Sequence, residues 1–302
     1  MTVPARSAEA PPVPRRIPAL SDWLALSKAR IVAMVLVTAA AGYGAAAPRF
    51  RAGVFAAMLA GTALLAAGTN AFNELVERDR DARMARTRRR PIPAGRISPA
   101  AAGAFAGAAA AAGAVVLAVF VHPLAAALGL FTLASYVLAY TPLKRTTTAC
   151  TIVGAVPGAI PPLIGWTAAT GGIHAGGALL FAILFFWQMP HFLALSWIHR
   201  RDYAAAGFSM TSVRDASGAA VSFDALLHTG ALLAVTAAAT LLSGGSRWPF
   251  AIAAVAGSAL LGAAIRFRAS RTPARARALF AASNAFLPAA MAAIVLSGLP
   301  PF

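Results

Sequence analysis

Seven stretches of this 302-residue chain carry no Asp, Glu, Lys or Arg: residues 31–48, 52–73, 97–143, 146–199, 225–246, 248–265 and 278–302. A helix needs about 20 apolar residues to cross a bilayer. Five of the runs supply one span each. The two long ones supply two, with breaks at Val121-His122-Pro123 and Thr170-Gly171-Gly172-Ile173-His174. Backbone groups in hydrocarbon must bond within their own segment, so all nine spans read as helices. The expected fold is all-α, a polytopic membrane protein of nine transmembrane helices. Residues 21–302 form a single transmembrane domain, and residues 1–20, rich in Pro, Ala and Arg, form a disordered tail. That tail lacks the apolar core of a signal peptide.

The net charge of +17 would suit a nucleic-acid partner, but its distribution argues otherwise. If the N-terminus and the loops after spans 2, 4, 6 and 8 share one side, that side holds 23 of the 26 Lys and Arg residues. The opposite side has only Arg49, Arg51 and Arg247. Basic loops stay in the cytoplasm, so the N-terminus is expected inside and the C-terminus outside, in a cell inner membrane. Membrane lipid is then the partner of most of these bases, and nucleic acid is excluded. The single cysteine, Cys150, rules out an internal disulfide and any multi-cysteine metal cluster.

Only nine acids occur in the chain, and four of them, Glu74, Glu77, Asp79 and Asp81, fall within eight positions at the end of span 2. On a helix, Asn70, Asn73, Glu74, Glu77 and Asp81 share a stripe roughly 100° wide, while Asp79 points to the opposite side. The asparagines continue the stripe into the membrane, where polar groups are expensive and usually functional. Mg²⁺ is held by a few carboxylates plus the phosphate oxygens of a substrate. Asn73, Glu77 and Asp81 are the expected metal ligands, with Asn70 and Glu74 beside them.

Bases converge on the same mouth. Lys28 and Arg30 precede span 1, Arg86 and Arg90 follow span 2, and Tyr140, Lys144 and Arg145 close span 4. Lys28 and Lys144 stand out because the chain otherwise uses Arg, 24 times. Pro91, Pro93 and Gly95 stop the helix after span 2, and Ser98 caps span 3. Pro157, Pro161 and Pro162 predict a kinked or partly unwound span 5, in which Gly154 and Gly158 would allow close packing. Span 6 ends in Trp187 to Tyr203. There His191 and Asp202 repeat the eleven-residue spacing of Asn70 and Asp81, as the remnant of an internal four-helix repeat would. His191, Asp202 and Tyr203 therefore join the candidate site, with Glu77, Asp81, Asp202 and His191 as candidate catalytic residues. Mg²⁺ and clustered bases would stabilise the charge on a departing diphosphate, and a kinked apolar bundle would receive a long hydrocarbon chain. The pieces describe ionisation of a prenyl diphosphate and capture of the allylic cation by a membrane-soluble acceptor. A cation- or proton-coupled transporter is the rival class, but it would keep its charges near the midplane rather than at one mouth.

The run Asn73-x-x-x-Glu77-x-x-x-Asp81 resembles the first aspartate-rich motif of the intramembrane UbiA-type prenyltransferases, with Glu in place of the first Asp. Its continuation, Met84-x-Arg86-Thr87-x-x-Arg90-Pro91-x-Pro93-x-Gly95-Arg96, is similar to the heme-farnesylating branch of that family. So are Ser27-Lys28-Ala29-Arg30, Tyr140-Thr141-Pro142-Leu143-Lys144-Arg145, Gly158 to Trp166, Trp187 to Phe192, and Asp202-Tyr203-x-x-x-Gly207. The resemblance implies a nine-helix bundle that uses Mg²⁺ to add the farnesyl group of farnesyl diphosphate to a heme b vinyl group. Its product would serve terminal oxidases, by hand-over to heme A synthase or to oxidase assembly. Where other branches carry two second-motif acids, this chain has Ile198 and Asp202, which disfavours the alternative of a quinone precursor or other aromatic acceptor. It departs from the branch at Ala29, at Thr211-Ser212 and across Arg214 to Gly218.

Overall fold

The computed structural model describes residues 17–46, 49–243 and 248–299. Most of the expected tail, residues 1–16, and Arg247 lie outside the described residues. Helix α1 (Leu20–Leu26) begins at the last residue of the expected tail. Wholly buried Leu26, the Trp23 ring 5.2 Å from Phe105, and an ion pair between Asp22 and Arg96 at 2.6 Å hold α1 against the bundle.

Among the described residues, nine helical segments are long and apolar enough to cross a membrane. Spans 1 to 3 are α2 (Ala29–Ala46), α3 (Ala52–Asp81) and α4 (Pro99–Phe120). Span 4 is composite: α5 (Pro123–Ala134), a π-helical turn over Ser135–Tyr140, and the short α6 (Thr141–Leu143). Span 5 is split into α7 (Cys150–Gly158) and α8 (Pro161–Thr170). Span 6 is α9 (Ala175–Ile198), followed outside it by α10 (Arg200–Ala205) and α11 (Thr211–Arg214). Spans 7 to 9 are α12 (Ala219–Leu242), α13 (Pro249–Ala269) and α14 (Pro273–Ser297). The breaks fall where the prolines and glycines required them, and Ser98 caps α4 by accepting the Ala101 N–H at 3.2 Å.

Two apolar clusters fill the bundle, one among α9, α12, α13 and α14, the other among α2, α3, α5 and α8. Helices in a membrane approach through small residues. Between α2 and α8 this is done by Gly42, which faces the Pro162 backbone, and by Gly165, where a Cβ would lie 1.8 Å from the Ala39 carbonyl oxygen. The expected pair does something else. Gly154 makes room for the Tyr140 ring and Gly158 for the Gln188 side-chain amide. That amide ties α9 to α7, its Nε2 donating to the carbonyls of Ala155 and Leu184, each at 3.1 Å. α7 delivers Gly154 and Thr151 to the cavity at one end of the bundle.

Candidate active site at one mouth of the bundle

The acidic stripe folds as its spacing demands. Asn70, Asn73, Glu74, Glu77 and Asp81 are all buried, and Asp79 is exposed beside Arg78. A cavity of about 190 Å³ opens next to the stripe. Asn73, Glu77 and Asp81 line it together with Lys28, Arg86, Arg90, Tyr140, Lys144 and Tyr203.

Each acid facing the cavity meets one base. Lys144 Nζ donates to Glu77 Oε1 at 2.9 Å, and Arg90 Nη1 donates to Asp81 Oδ2 at 2.6 Å. Lys28 Nζ donates to Asn73 Oδ1 at 2.7 Å. Asp81 Oδ1 is buried without a hydrogen-bond partner. An orphaned carboxylate oxygen in a cavity is costly unless a ligand completes it. With the Asn73 carbonyl and Glu77, it forms an all-oxygen set suited to a hard cation. Among the described residues no three His, Cys, Asp or Glu side chains converge on an ion position. Mg²⁺ held here would therefore depend on substrate oxygens as well, which is its usual habit.

The local chain explains how Lys28 reaches that point. Lys28 sits between α1 and α2 with φ +53°, a left-handed conformation that side chains rarely adopt. Asn70 Nδ2 pins the preceding carbonyl, that of Ser27, at 3.1 Å. Strain of this kind gathers at functional sites and survives only where neighbours hold it. Burial, with Arg90 and Lys144 as like charges and against the pull of Glu77, lowers the Lys28 pKa to about 7. Burial also opposes the charge on Lys144, yet Tyr140 and Glu77 outweigh it and hold that lysine well above the ordinary value. The two lysines thus differ: one is poised near neutrality, the other is fixed as a cation.

Glu74 serves the loop rather than the cavity. Its Oε1 accepts the Ile92 N–H at 3.2 Å, Thr87 Oγ1 donates to the Asp81 carbonyl at 2.8 Å, and Arg96 reaches the Arg89 carbonyl at 2.9 Å. These bonds fold residues 82–98 back over the end of α3 and place Arg90. After α9, Phe208 and Met210 pack with Met84 and Cys150 and roof the cavity. Asp215 organises the segment Arg214 to Gly218, where the chain departs from the branch. Its carboxylate accepts from Ser217 N at 3.0 Å, Ser217 Oγ at 2.6 Å and Ala220 N at 2.7 Å, capping α12.

Five of the expected residues stand outside the cavity wall. Asn70 is spent on the Ser27 carbonyl, and Arg30 and Arg145 are exposed. Asp202 does not repeat the Asp81 position, because the helix breaks at His199 (φ −103°, ψ 18°) and the eleven-residue register is lost. Its nearest ion-pairing group is His199 Nδ1, at 4.0 Å. His191 turns toward α14, between Trp187 and Phe280, with ring centroids 4.7 and 4.4 Å away. Ser283 Oγ donates its one proton to the Phe280 carbonyl at 2.7 Å, so His191 Nδ1 donates to Ser283 Oγ at 2.9 Å. Neutral His191 therefore keeps its lone pair on Nε2. Sequence reasoning missed Tyr136, Phe192, Phe208 and Met210 in the wall. Nothing in hydropathy separates these rings and chains from lipid-facing ones.

The match to the UbiA prenyltransferase family model runs from residue 35 to residue 288. The chain belongs to the UbiA prenyltransferase family. It is a multi-pass membrane prenyltransferase. The protoheme IX farnesyltransferase of Opitutus terrae is 43% identical over 281 residues, 92% of this chain and 95% of its own length. The human mitochondrial protoheme IX farnesyltransferase is 44% identical over 230 residues, 76% of this chain and 51% of that one. Among solved structures, a digeranylgeranylglyceryl phosphate synthase superposes with a TM-score of 0.77 at 13% identity, over 92% of this chain and 98% of that one. A UbiA homologue from Archaeoglobus fulgidus bound to DMAPP and Mg²⁺ gives a TM-score of 0.64 at 14% identity, over 90% and 99% of the two chains. At such low identity these two establish the fold alone.

Proposed function

We propose that this prenyltransferase moves a farnesyl group from farnesyl diphosphate to a vinyl group of heme b, at a mouth facing the cytoplasm of an inner membrane. The observation that carries the reading is the cavity where Asn73, Glu77 and the unpartnered Asp81 Oδ1 meet Lys28, Arg90 and Lys144. Relatives named protoheme IX farnesyltransferase at 38–45% identity support the acceptor. The single second-motif acid argues against an aromatic acid acceptor. The 23 bases assigned to one side support the orientation.

In this reading Lys28, Arg90 and Lys144 bind the diphosphate oxygens, with Arg86 at the rim. Asn73, Glu77 and Asp81 hold Mg²⁺, which when bound stabilises negative charge developing on the diphosphate. Lys144, fixed as a cation, keeps its charge throughout. The C–O bond of the prenyl diphosphate breaks with its electron pair leaving on the diphosphate. The rings of Tyr136 and Phe192, which line the cavity, would offer π density to the allylic cation. The heme vinyl group attacks that cation, and water supplies the hydroxyl that completes the new side chain, releasing a proton. Phe208 and Met210 roof the cavity and limit the entry of other water.

Membranes containing the protein, incubated with heme b, farnesyl diphosphate and Mg²⁺, should yield farnesylated heme. Asp81→Ala should abolish turnover with membrane insertion intact, while Asp79→Ala, whose side chain is 81% exposed, should stay close to wild type. Product from an aromatic acid acceptor and none from heme would overturn the acceptor. Normal turnover in Asp81→Ala would overturn the metal role.

A further inference from the structure

A hydroxyl has one proton, and that of Thr141 is already committed. Its Oγ1 donates at 2.8 Å to the Tyr136 carbonyl, which also accepts the Thr141 backbone N–H across the π-helical turn. With the proton spent, Oγ1 can meet a side-chain amide only as an acceptor. The Asn73 amide lies 3.2 Å away through Nδ2, so the NH₂ end of Asn73 faces Thr141. Its carbonyl Oδ1 is thereby turned the other way, to where Lys28 Nζ donates at 2.7 Å. Thr141 is wholly buried, so no water competes for these bonds.

The two ends of an asparagine amide have nearly the same shape and opposite polarity. One orientation offers a cation an acceptor; the other offers it two protons. We propose that Thr141 is a positioning residue for the prenyltransferase reaction, holding Asn73 with its oxygen toward the cation subsite. The π-helical turn brings it there, because one residue inserted into a helix rotates everything after it by about 100°. The inference rests on the metal role given above to Asn73, Glu77 and Asp81. It adds Thr141 to Lys28 and Glu77 as a partner that sets which end of the amide points where. Outer partners of this kind typically set 10- to 100-fold in metal affinity.

The test is direct binding of Mn²⁺ to the purified full chain in detergent, with a non-cleavable farnesyl thiodiphosphate present, read from the EPR signal of free Mn²⁺. Thr141→Val, which keeps the shape and removes the hydroxyl, should weaken binding about tenfold, and Thr141→Ser should bind as wild type. Asn73→Asp presents oxygen on both faces, so adding Thr141→Val to it should cost no further affinity. A general loosening of the site would give the same loss in both backgrounds, and that result overturns the proposal. So does wild-type binding by Thr141→Val. If valine is not tolerated, Thr141→Ser carries the test, and a tenfold loss there is equally fatal. A wild-type protein that binds no Mn²⁺ refutes the metal reading and this inference with it. Normal wild-type binding beside an unaffected Thr141→Val refutes only the inference.

Discussion

Replacing Arg90 by Met isolates the energetics of the acidic site. Arg90 Nη1 lies 2.6 Å from Asp81 Oδ2, and the Asp81 side chain is only 1% exposed. Its other oxygen has no partner. Methionine keeps most of the packed stem and removes the charge, leaving both oxygens of a buried carboxylate unpaired. Breaking a buried pair from one side costs about 3–5 kcal/mol. Arg90 is 24% exposed, so water already reaches its end of the pair and the cost falls toward about 3 kcal/mol. For a chain of this size, about 3 kcal/mol corresponds to a fall of roughly 6–12 °C in unfolding temperature. A bound cation should return much of that. Mg²⁺ alone, chosen because Arg90 also binds the diphosphate in the reading above, supplies about 2.7 kcal/mol at about a hundred times its Kd. In the wild type Arg90 already offsets the Asp81 charge, so the same cation gains less. Thermal unfolding in detergent, with and without Mg²⁺, should therefore show a larger Mg²⁺-induced rise in Arg90→Met than in wild type. An unchanged unfolding temperature without ligand, or equal rises in the two proteins, would refute the argument that Asp81 is held ready for a cation.

Gly165→Ala places a Cβ 1.8 Å from the Ala39 carbonyl oxygen, a backbone atom that no rotamer change can move, so destabilisation of at least about 3 kcal/mol is expected. Gly107, with open space around its Cβ position, should accept Ala without loss, and detergent unfolding of the two variants checks the contrast. Asp215→Ala should cost about 1 kcal/mol by uncapping α12. Burial pushes the Asp215 carboxyl up, but the hydrogen bonds from Ser217 and Ala220 together outweigh it and hold the group below its ordinary value. The contribution is therefore full above about pH 4 and lost as pH falls below it. The gap between wild type and variant should close on acidification, and a gap that widens instead would contradict the cap.

Much of the molecule was legible in the chain because a bilayer removes alternatives. A charge-free run of about 20 residues has to be a helix, so the spans and their breaks followed from hydropathy and proline alone. The stripe from Asn70 to Asp81 was equally legible, since residues on one regular helix have angular positions that depend only on spacing. That argument failed at Asp202. It assumes an unbroken helix, and the chain turns at His199. It also failed for His191, whose face is decided by Ser283 and Phe280, 92 and 89 positions away in the chain.

Tertiary structure alone decided which polar groups are spent on the fold and which remain for chemistry. Asn70 and Asn73 look alike in the sequence. One is consumed by the Ser27 carbonyl, and the other lies between Lys28 and Thr141 with its oxygen turned toward the Lys28 ammonium. Glu74 and Asp81 look alike too, and each keeps one buried oxygen without a partner, yet Glu74 anchors a loop and only Asp81 lines the cavity. Sequence determined that the chain spans a membrane and carries acids on one helix face, because both depend on properties local to a segment. The amide orientation, the left-handed Lys28 and the choice of Gly42 and Gly165 for the close approach of α2 and α8 depend on what arrives from elsewhere in the chain. Local spacing holds no information about those arrivals.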